Sequence, residues 1–323
     1  MKAVRIHKTG DPDVLSLEEI ATPVPGAGEV LIKVAAAGIN FADLLQRQGV
    51  YPIAGGIPAV LGFEVAGTIV AHGEDVDSPP VGTRVVTGLM GGGYAEYAVV
   101  PAATVVPIPD NLDFASATAL FLQGLTAYGL LHDAAKLQPG ESVLVHTAAG
   151  GVGSLAVQLA KLMGAGTVIG TASSPSKLEF IRRIGADVAI NYAEGDWNEQ
   201  IKGATGGQGV DVILDAVGGE IGQQSLAHLA PGGRLVVYGN AGGQPTMLAA
   251  QQLTGNNQAV IGYSMGSAMS PQHMTESIRE LLHYVVEDQL QIVVGQTFPL
   301  ADAAAAHRAM AERRTTGKVV LLP

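Results

Sequence analysis

The stretch that most restricts the fold is Ser142–His146 followed without a spacer by Thr147-Ala148-Ala149-Gly150-Gly151-Val152-Gly153. Ser142–His146 is a short apolar run that reads as a strand. Val152, Leu155, Ala156, Leu159 and Met163 then recur at helical spacing until Gly164 supplies a stop. A strand that turns through glycines directly into a helix places unpaired backbone N–H groups and a partial positive charge where a dinucleotide pyrophosphate binds. The pattern G-x-G-x-x-G falls on Ala148, Gly150 and Gly153, with alanine in the first place. Gly150 lets the backbone approach the pyrophosphate, and Gly153 lets helix and strand pack closely.

The chain continues in the same grammar. Thr167–Thr171 reads as a second strand, and Ser174-Pro175 reads as the N-cap and first residue of a helix that turns Leu178, Ile181 and Ile184 inward and ends at Gly185. Val188–Ile190, Val210–Leu214, Leu235–Tyr238 and Ala259–Tyr263 are further apolar, β-branched runs, which brings the strand count to six in a parallel sheet covered on both faces. The fold class expected is α/β with a Rossmann doubly wound sheet. From Met1 to about Pro109 the grammar differs: Val30–Val34, Ala66–Ala71, Arg84–Thr87 and Tyr94–Val99 are short runs broken by Gly and Pro, read as strands and turns. Ser277–Asp288 and Ala301–Arg314 read as helices, and Lys318–Leu322 as a last strand.

In a site for NAD an acidic residue closes the second strand and binds the ribose 2′-hydroxyl. Here Gly170-Thr171-Ala172-Ser173-Ser174 stands in that place, with no carboxylate before Glu179. A 2′-phosphate meets no repulsion, Ser173 and Ser174 offer hydroxyl donors, and Lys177 offers charge. NADPH is the cofactor expected. The competing reading of Lys177 is a solvated helix-face lysine.

A formal net charge of -11 argues against nucleic acid and against an anionic membrane surface. Zero cysteines exclude disulfides, thiolate zinc sites, iron–sulfur clusters and a cysteine nucleophile. The amino terminus, MKAVRIHKTG, lacks the apolar run of a signal peptide. No stretch reaches the roughly 18 uninterrupted apolar residues of a membrane span. These features lead to the expectation of a cytoplasmic protein.

Two motifs taken together resemble the quinone oxidoreductase and zeta-crystallin branch of the medium-chain dehydrogenase/reductase superfamily. One is Gly38-Ile39-Asn40-Phe41-Ala42-Asp43 followed by Arg47, Gly49, Tyr51 and Pro52, and the other is His146 to Gly153. Gly62-Phe63-Glu64-Val65-Ala66-Gly67, Gly124-Leu125-Thr126-Ala127-Tyr128 and Thr316-Gly317-Lys318 add to it, so that the resemblance runs over nearly the whole chain. It implies a GroES-like, β-rich catalytic domain formed by residues 1–120 and 265–323, with an NADPH-binding Rossmann domain at 121–264 between them. It also implies a homodimer paired through the last Rossmann strand, near Gln258–Tyr263.

Zinc enzymes of the superfamily carry cysteine where this chain has Asn40 and histidine where it has Phe63, so the resemblance implies a reductase without metal. No pair of the eight histidines has the i, i+4 spacing of a helical metal site. The family places the residues matching Asn40 and Tyr51 near the nicotinamide. Hydride transfer without a Lewis acid needs donors aimed at the oxygen that gains charge, and these two are assigned that role, with Tyr51 or water supplying the proton. Asn40 has the alternative of a loop-holding residue, and Asp43 is expected to organise the loop. Cofactor contacts implied by the resemblance are Thr126, Gly150, Gly151, Val152, Ser173, Lys177, Tyr192, Asn240 and Arg313.

The acceptor expected is a quinone. An α,β-unsaturated ketone, aldehyde or enoyl thioester is the rival, sharpened by Leu45, which stands where the family's benzoquinone reductases often have tyrosine. A structural, crystallin-like or RNA-binding protein is the alternative of another class, and the negative charge weighs against RNA.

Overall fold

A computed structural model describes all residues from Met1 to Pro323. The chain divides into two compact units. The first comprises Met1–Gln123, Met274–Val286 and Ile292–Pro323, and the second Gly124–His273 with Glu287–Gln291.

The first unit is built on a mixed seven-stranded sheet whose longest member is β1 (Glu29–Ile39). One edge of β1 pairs antiparallel with β2 (Glu64–His72), and the other with Tyr97–Pro101 along its first half and with the carboxyl-terminal strand Lys318–Leu322 at its end. Ile32, Ile39, Val65, Ile69, Val85 and Val319 fill its core. Between β1 and β2 the expected run of strands and turns is interrupted by a helix, α1 (Phe41–Gln48). Its signals stand in the sequence: Asn40 at the N-cap, Asp43 three residues on, and Gly49 at the C-cap with φ 83°, a left-handed conformation that suits glycine. Loop-like Gly and Pro on both sides masked so short a helix. The strand expected from Tyr94 begins only at Tyr97. Tyr94 itself is fully buried and turns its hydroxyl toward His307 Nε2 at 3.1 Å.

The second unit carries six parallel strands: β3 (Ser142–Val145), β4 (Thr167–Ala172), β5 (Val188–Asn191), β6 (Val210–Asp215), β7 (Leu229–Val237) and β8 (Ala259–Gly262). They lie in the order β5-β4-β3-β6-β7-β8. The first strand is central and the order reverses beside it, so the switch point falls between β3 and β6, where doubly wound sheets bind ligands outside the carboxyl ends. Leu144, Ile169, Ile190, Ile213 and Leu235 pack with Trp197 as one core. Helix α2 (Gly151–Leu162) follows β3, and α3 (Pro175–Arg183) follows β4, with Ser174 at its N-cap.

A helical run, Phe114–Ala134, is long and apolar enough to cross a membrane by length and composition, although polar residues interrupt it. Two-thirds of its apolar window, 67%, is buried within the protein, which identifies a core helix. It widens into π-turns at Leu120–Gly124 and Leu130–Ala134. Such turns recur at functional sites because they redirect backbone and side chains locally.

Candidate functional site

Within the first unit, one candidate site centres on Gly38. Lys318 and Glu64 come from the strands on either side of β1 and converge over Gly38, where a Cβ would lie 2.3 Å from Glu64 Oε1 and 2.6 Å from Lys318 Cε. Without a side chain at residue 38, the ammonium and the carboxylate meet in a direct ion pair, with Lys318 1% and Glu64 0% exposed. The other carboxylate oxygen, Glu64 Oε2, accepts the backbone N–H of Leu122 from the first π-turn at 2.8 Å. Lys318 Nζ also donates to Asn40 Oδ1 at 3.1 Å and to the Ile39 carbonyl at 3.4 Å, which occupies its three hydrogens.

The same pair fixes which way the Asn40 amide faces. Its oxygen accepts from Lys318 and from Gln123 Nε2 at 3.0 Å, and its nitrogen donates to Glu64 Oε1 at 2.7 Å. A flipped amide would set N–H against two donors. One hydrogen of Nδ2 is used by Glu64, and the second has no acceptor in the protein. Asn40 stands at the N-cap of α1, where asparagine ordinarily caps its own helix, yet its side chain makes no cap bond. Asp43 does part of that work instead by accepting the Asn40 backbone N–H at 2.7 Å.

Asp43 is wholly buried, and its Oδ1 has no hydrogen-bond partner. Burial pushes its carboxyl up to about 7, with the Glu64 charge adding to the rise and the Asn40 N–H opposing it. Behind it, burial holds His307 down to about 3, helped by the Arg47 guanidinium, and raises the Tyr94 hydroxyl well above its usual range. Tyr51 lies on the loop after α1 and is 45% exposed.

A second candidate site, within the second unit, lies along the carboxyl-terminal ends of the parallel strands. Since all six strands run the same way, their carboxyl ends align: Val145 registers with Gly170 and Leu214, Ala172 with Asn191, and Asp215 with Val237. That edge gathers Gly150, Gly151 and Val152 after β3, Ser173 and Lys177 after β4, Tyr192 after β5 and Asn240 after β7. Thr126 lies on the part of the Phe114–Ala134 run that belongs to the second unit, whereas Arg313 belongs to the first unit.

Gly150 is the N-cap of α2, and its N–H closes a turn onto Thr147 at 2.8 Å. The first amide bonded within the helix is Ser154, which donates to Gly150 at 2.9 Å, so the N–H groups of Gly151, Val152 and Gly153 have no helical acceptor. A Cβ at Gly153 would lie 2.4 Å from the Thr147 carbonyl oxygen, which is why only glycine fits there. Below the turn, His146 is fully buried and burial lowers it to about 4. The Ser225 hydroxyl donates to the Ile221 carbonyl at 2.7 Å and therefore accepts from His146 Nε2 at 2.8 Å. Nδ1 then accepts from Thr171 Oγ1 at 3.0 Å. This neutral imidazole ties the phosphate turn to the second strand.

Sequence reasoning passed over Glu64, Gln123 and Lys318 as members of the site. Two of them stood inside motifs, but only the sheet register brings residues 254 apart in the chain into contact.

The region 26–110 matches the alcohol dehydrogenase GroES-like domain family, and 151–283 matches the zinc-binding dehydrogenase family. A 2-haloacrylate reductase from Burkholderia is 38% identical, the alignment covering 99% of this chain and 98% of that protein. A quinone oxidoreductase from Pseudomonas aeruginosa is also 38% identical, with coverage of 100% and 99%. Among solved structures, Escherichia coli quinone oxidoreductase complexed with NADPH superposes with a TM-score of 0.94 at 34% identity, covering the whole of both chains.

Proposed function

Because this chain belongs to the quinone oxidoreductase branch of the medium-chain dehydrogenase/reductase superfamily, we propose that it is an NADPH-dependent, metal-independent reductase of quinones. The observation that carries the reading is the pinned carboxamide of Asn40, which has one N–H left to donate.

The dinucleotide site fits this cofactor. The free amides of Gly151, Val152 and Gly153 suit a pyrophosphate. The edge after β4 presents Ser173, Ser174 and Lys177 with no carboxylate to repel a 2′-phosphate. Tyr192, half-buried against the core, covers the adenosine end, and Thr126, Asn240 and Arg313 complete the assigned contacts.

Zinc does not fit. Asn40 and Phe63 offer neither thiolate nor imidazole, and the oxygens of Asn40 and Glu64 already hold an ammonium that would repel a second cation.

NADPH supplies a hydride when bound. In this reading the spare Asn40 N–H donates to the acceptor oxygen that becomes negative as the hydride arrives, and the Lys318 ammonium behind the amide polarises that N–H. Tyr51, exposed to solvent, delivers the proton, with water as the second source. The proposal includes a homodimer formed through the edge strand β8. Light scattering that returned a monomer at micromolar concentration would remove that part.

A second acceptor class is favoured by two specific facts, the half-buried Leu45 on α1 in the place of a family tyrosine and the equal identity to a 2-haloacrylate reductase. An alkene conjugated to a carbonyl or carboxylate gains charge on oxygen in the same way. Steady-state oxidation of NADPH with 1,4-benzoquinone, 9,10-phenanthrenequinone, 2-alkenals, 2-chloroacrylate and crotonyl-CoA separates the two. Turnover with the quinones is expected; none with any quinone, beside turnover of an alkene, moves the assignment to the second class.

A further inference from the structure

The second π-turn carries a cluster that hydride transfer does not use. His132 and Asp133 are consecutive on this turn, and His273 stands in the first turn of the helix Pro271–Val286, 140 residues further along from Asp133. The Asp133 carboxylate bridges the two rings: Oδ1 lies 2.7 Å from His132 Nδ1, and Oδ2 lies 3.0 Å from His273 Nε2. The three ligand atoms lie within 4.8 Å of one another.

We propose that His132, Asp133 and His273 bind a divalent transition-metal cation of the zinc class. Two imidazoles and one carboxylate form a ligand set suited to such cations. Tetrahedral coordination at about 2.0–2.2 Å per bond sets ligand atoms roughly 3.3 Å apart. With Asp133 Oδ1 as the carboxylate ligand, its contacts of 2.7 Å to His132 Nδ1 and 3.2 Å to His273 Nε2 need to open by about 0.6 Å or less, and the two ring nitrogens, within 4.8 Å of each other, close toward the same spacing. On binding, each ring moves its proton to the other nitrogen or releases it, so that the metal replaces the hydrogen bonds now held by Asp133.

Two further features suit a cation. The Tyr128 ring stacks on His132 with centroids 5.0 Å apart and planes 22° from parallel, which holds the imidazole in orientation. The Tyr263 hydroxyl is buried against Gly129, has no hydrogen-bond partner, and is raised by burial and by the charge of Asp133 beside it. A water in the fourth coordination position would serve this orphaned group. The side chains are part-exposed, His132 at 55%, Asp133 at 25% and His273 at 32%, so a cation has access from solvent. Bound there, it would clip the end of the Phe114–Ala134 run to the start of the Pro271–Val286 helix.

The test uses the untagged full-length chain, freed of metal by chelator and dialysis, then titrated with zinc chloride by calorimetry and with cobalt(II) followed by its visible d–d absorption. The result expected is one equivalent per chain, with a zinc-dependent rise in the thermal midpoint. His132→Ala and His273→Ala should each weaken binding at least about tenfold. Both variants should keep NADPH binding and circular dichroism, since neither side chain is in the core. Absence of saturable one-equivalent binding overturns the proposal. So does unchanged affinity in the doubly substituted protein.

Discussion

Replacing Lys318 by methionine tests the architecture of the first unit most directly. Methionine matches the lysine stem in length and bulk, so packing over Gly38 is kept while the ammonium is lost. Glu64 then retains two donors, Asn40 Nδ2 at 2.7 Å and the Leu122 N–H at 2.8 Å, but no counter-charge, at 0% exposure. Stranding one partner of a buried ion pair costs about 3–5 kcal/mol. For a unit of this size each kcal/mol moves Tm by roughly 2–4 °C, which places the expected fall at about 6–20 °C. The double variant Lys318→Met/Glu64→Gln removes both charges, and the glutamine oxygen still accepts from Asn40. Its loss should therefore be smaller than the sum of the two single losses by at least about 2 kcal/mol. Urea denaturation of the four proteins closes the cycle. A Lys318→Met cost under about 1 kcal/mol, or additivity of the two changes within about 0.5 kcal/mol, would refute the view that the ammonium compensates Glu64.

Three other outcomes follow from the geometry. Asn40→Ala removes the single spare donor and should lower kcat about 10²–10³-fold with little change in NADPH affinity, measured by steady-state kinetics and fluorescence titration. Asp43 has a folded-state value of about 7 against 3.8 for the free residue. Its neutral form is thus favoured by folding, and wild-type stability falls as pH rises from about 4 to about 7, then levels off. Asp43→Asn keeps an acceptor for the Asn40 N–H and should flatten that fall in urea midpoints; an unchanged slope would show that Asp43 is not its source. Gly153→Ala drives a methyl to 2.4 Å from the Thr147 carbonyl, and should displace α2, cost about 1–3 kcal/mol and weaken NADPH binding.

The sheet of the second unit was legible because its strands are buried on both faces and its turns are marked by glycine. Each expected strand is present, with ends differing mostly by a residue or two. An exception is β7, which begins at Leu229 through the Pro231-Gly232-Gly233 segment where turn residues concealed it. In the first unit, periodicity was too short to register α1, although Asn40, Asp43 and Gly49 were its markers. The Lys318–Glu64–Gln123 set was not legible at all. A buried lysine looks the same in sequence as a surface one, and only the pairing of Val320 with Gly38 and of Ala37 with Val65 brings the charges together. The His132–Asp133–His273 cluster escaped for the same reason, since His273 lies 140 residues from Asp133 and shares no helix with it.

The ion pair over Gly38 also constrains which single substitutions the first unit can accept. Losing Lys318 alone strands the buried Glu64 carboxylate, and losing Glu64 alone strands the buried Lys318 ammonium. A step that strands the carboxylate spends about 3–5 kcal/mol of a total stability that is itself only about 5–15 kcal/mol. The ion pair therefore acts as a ratchet: once lysine and glutamate have closed over that glycine, neither is readily lost by a single substitution, and the two are expected to change together or not at all.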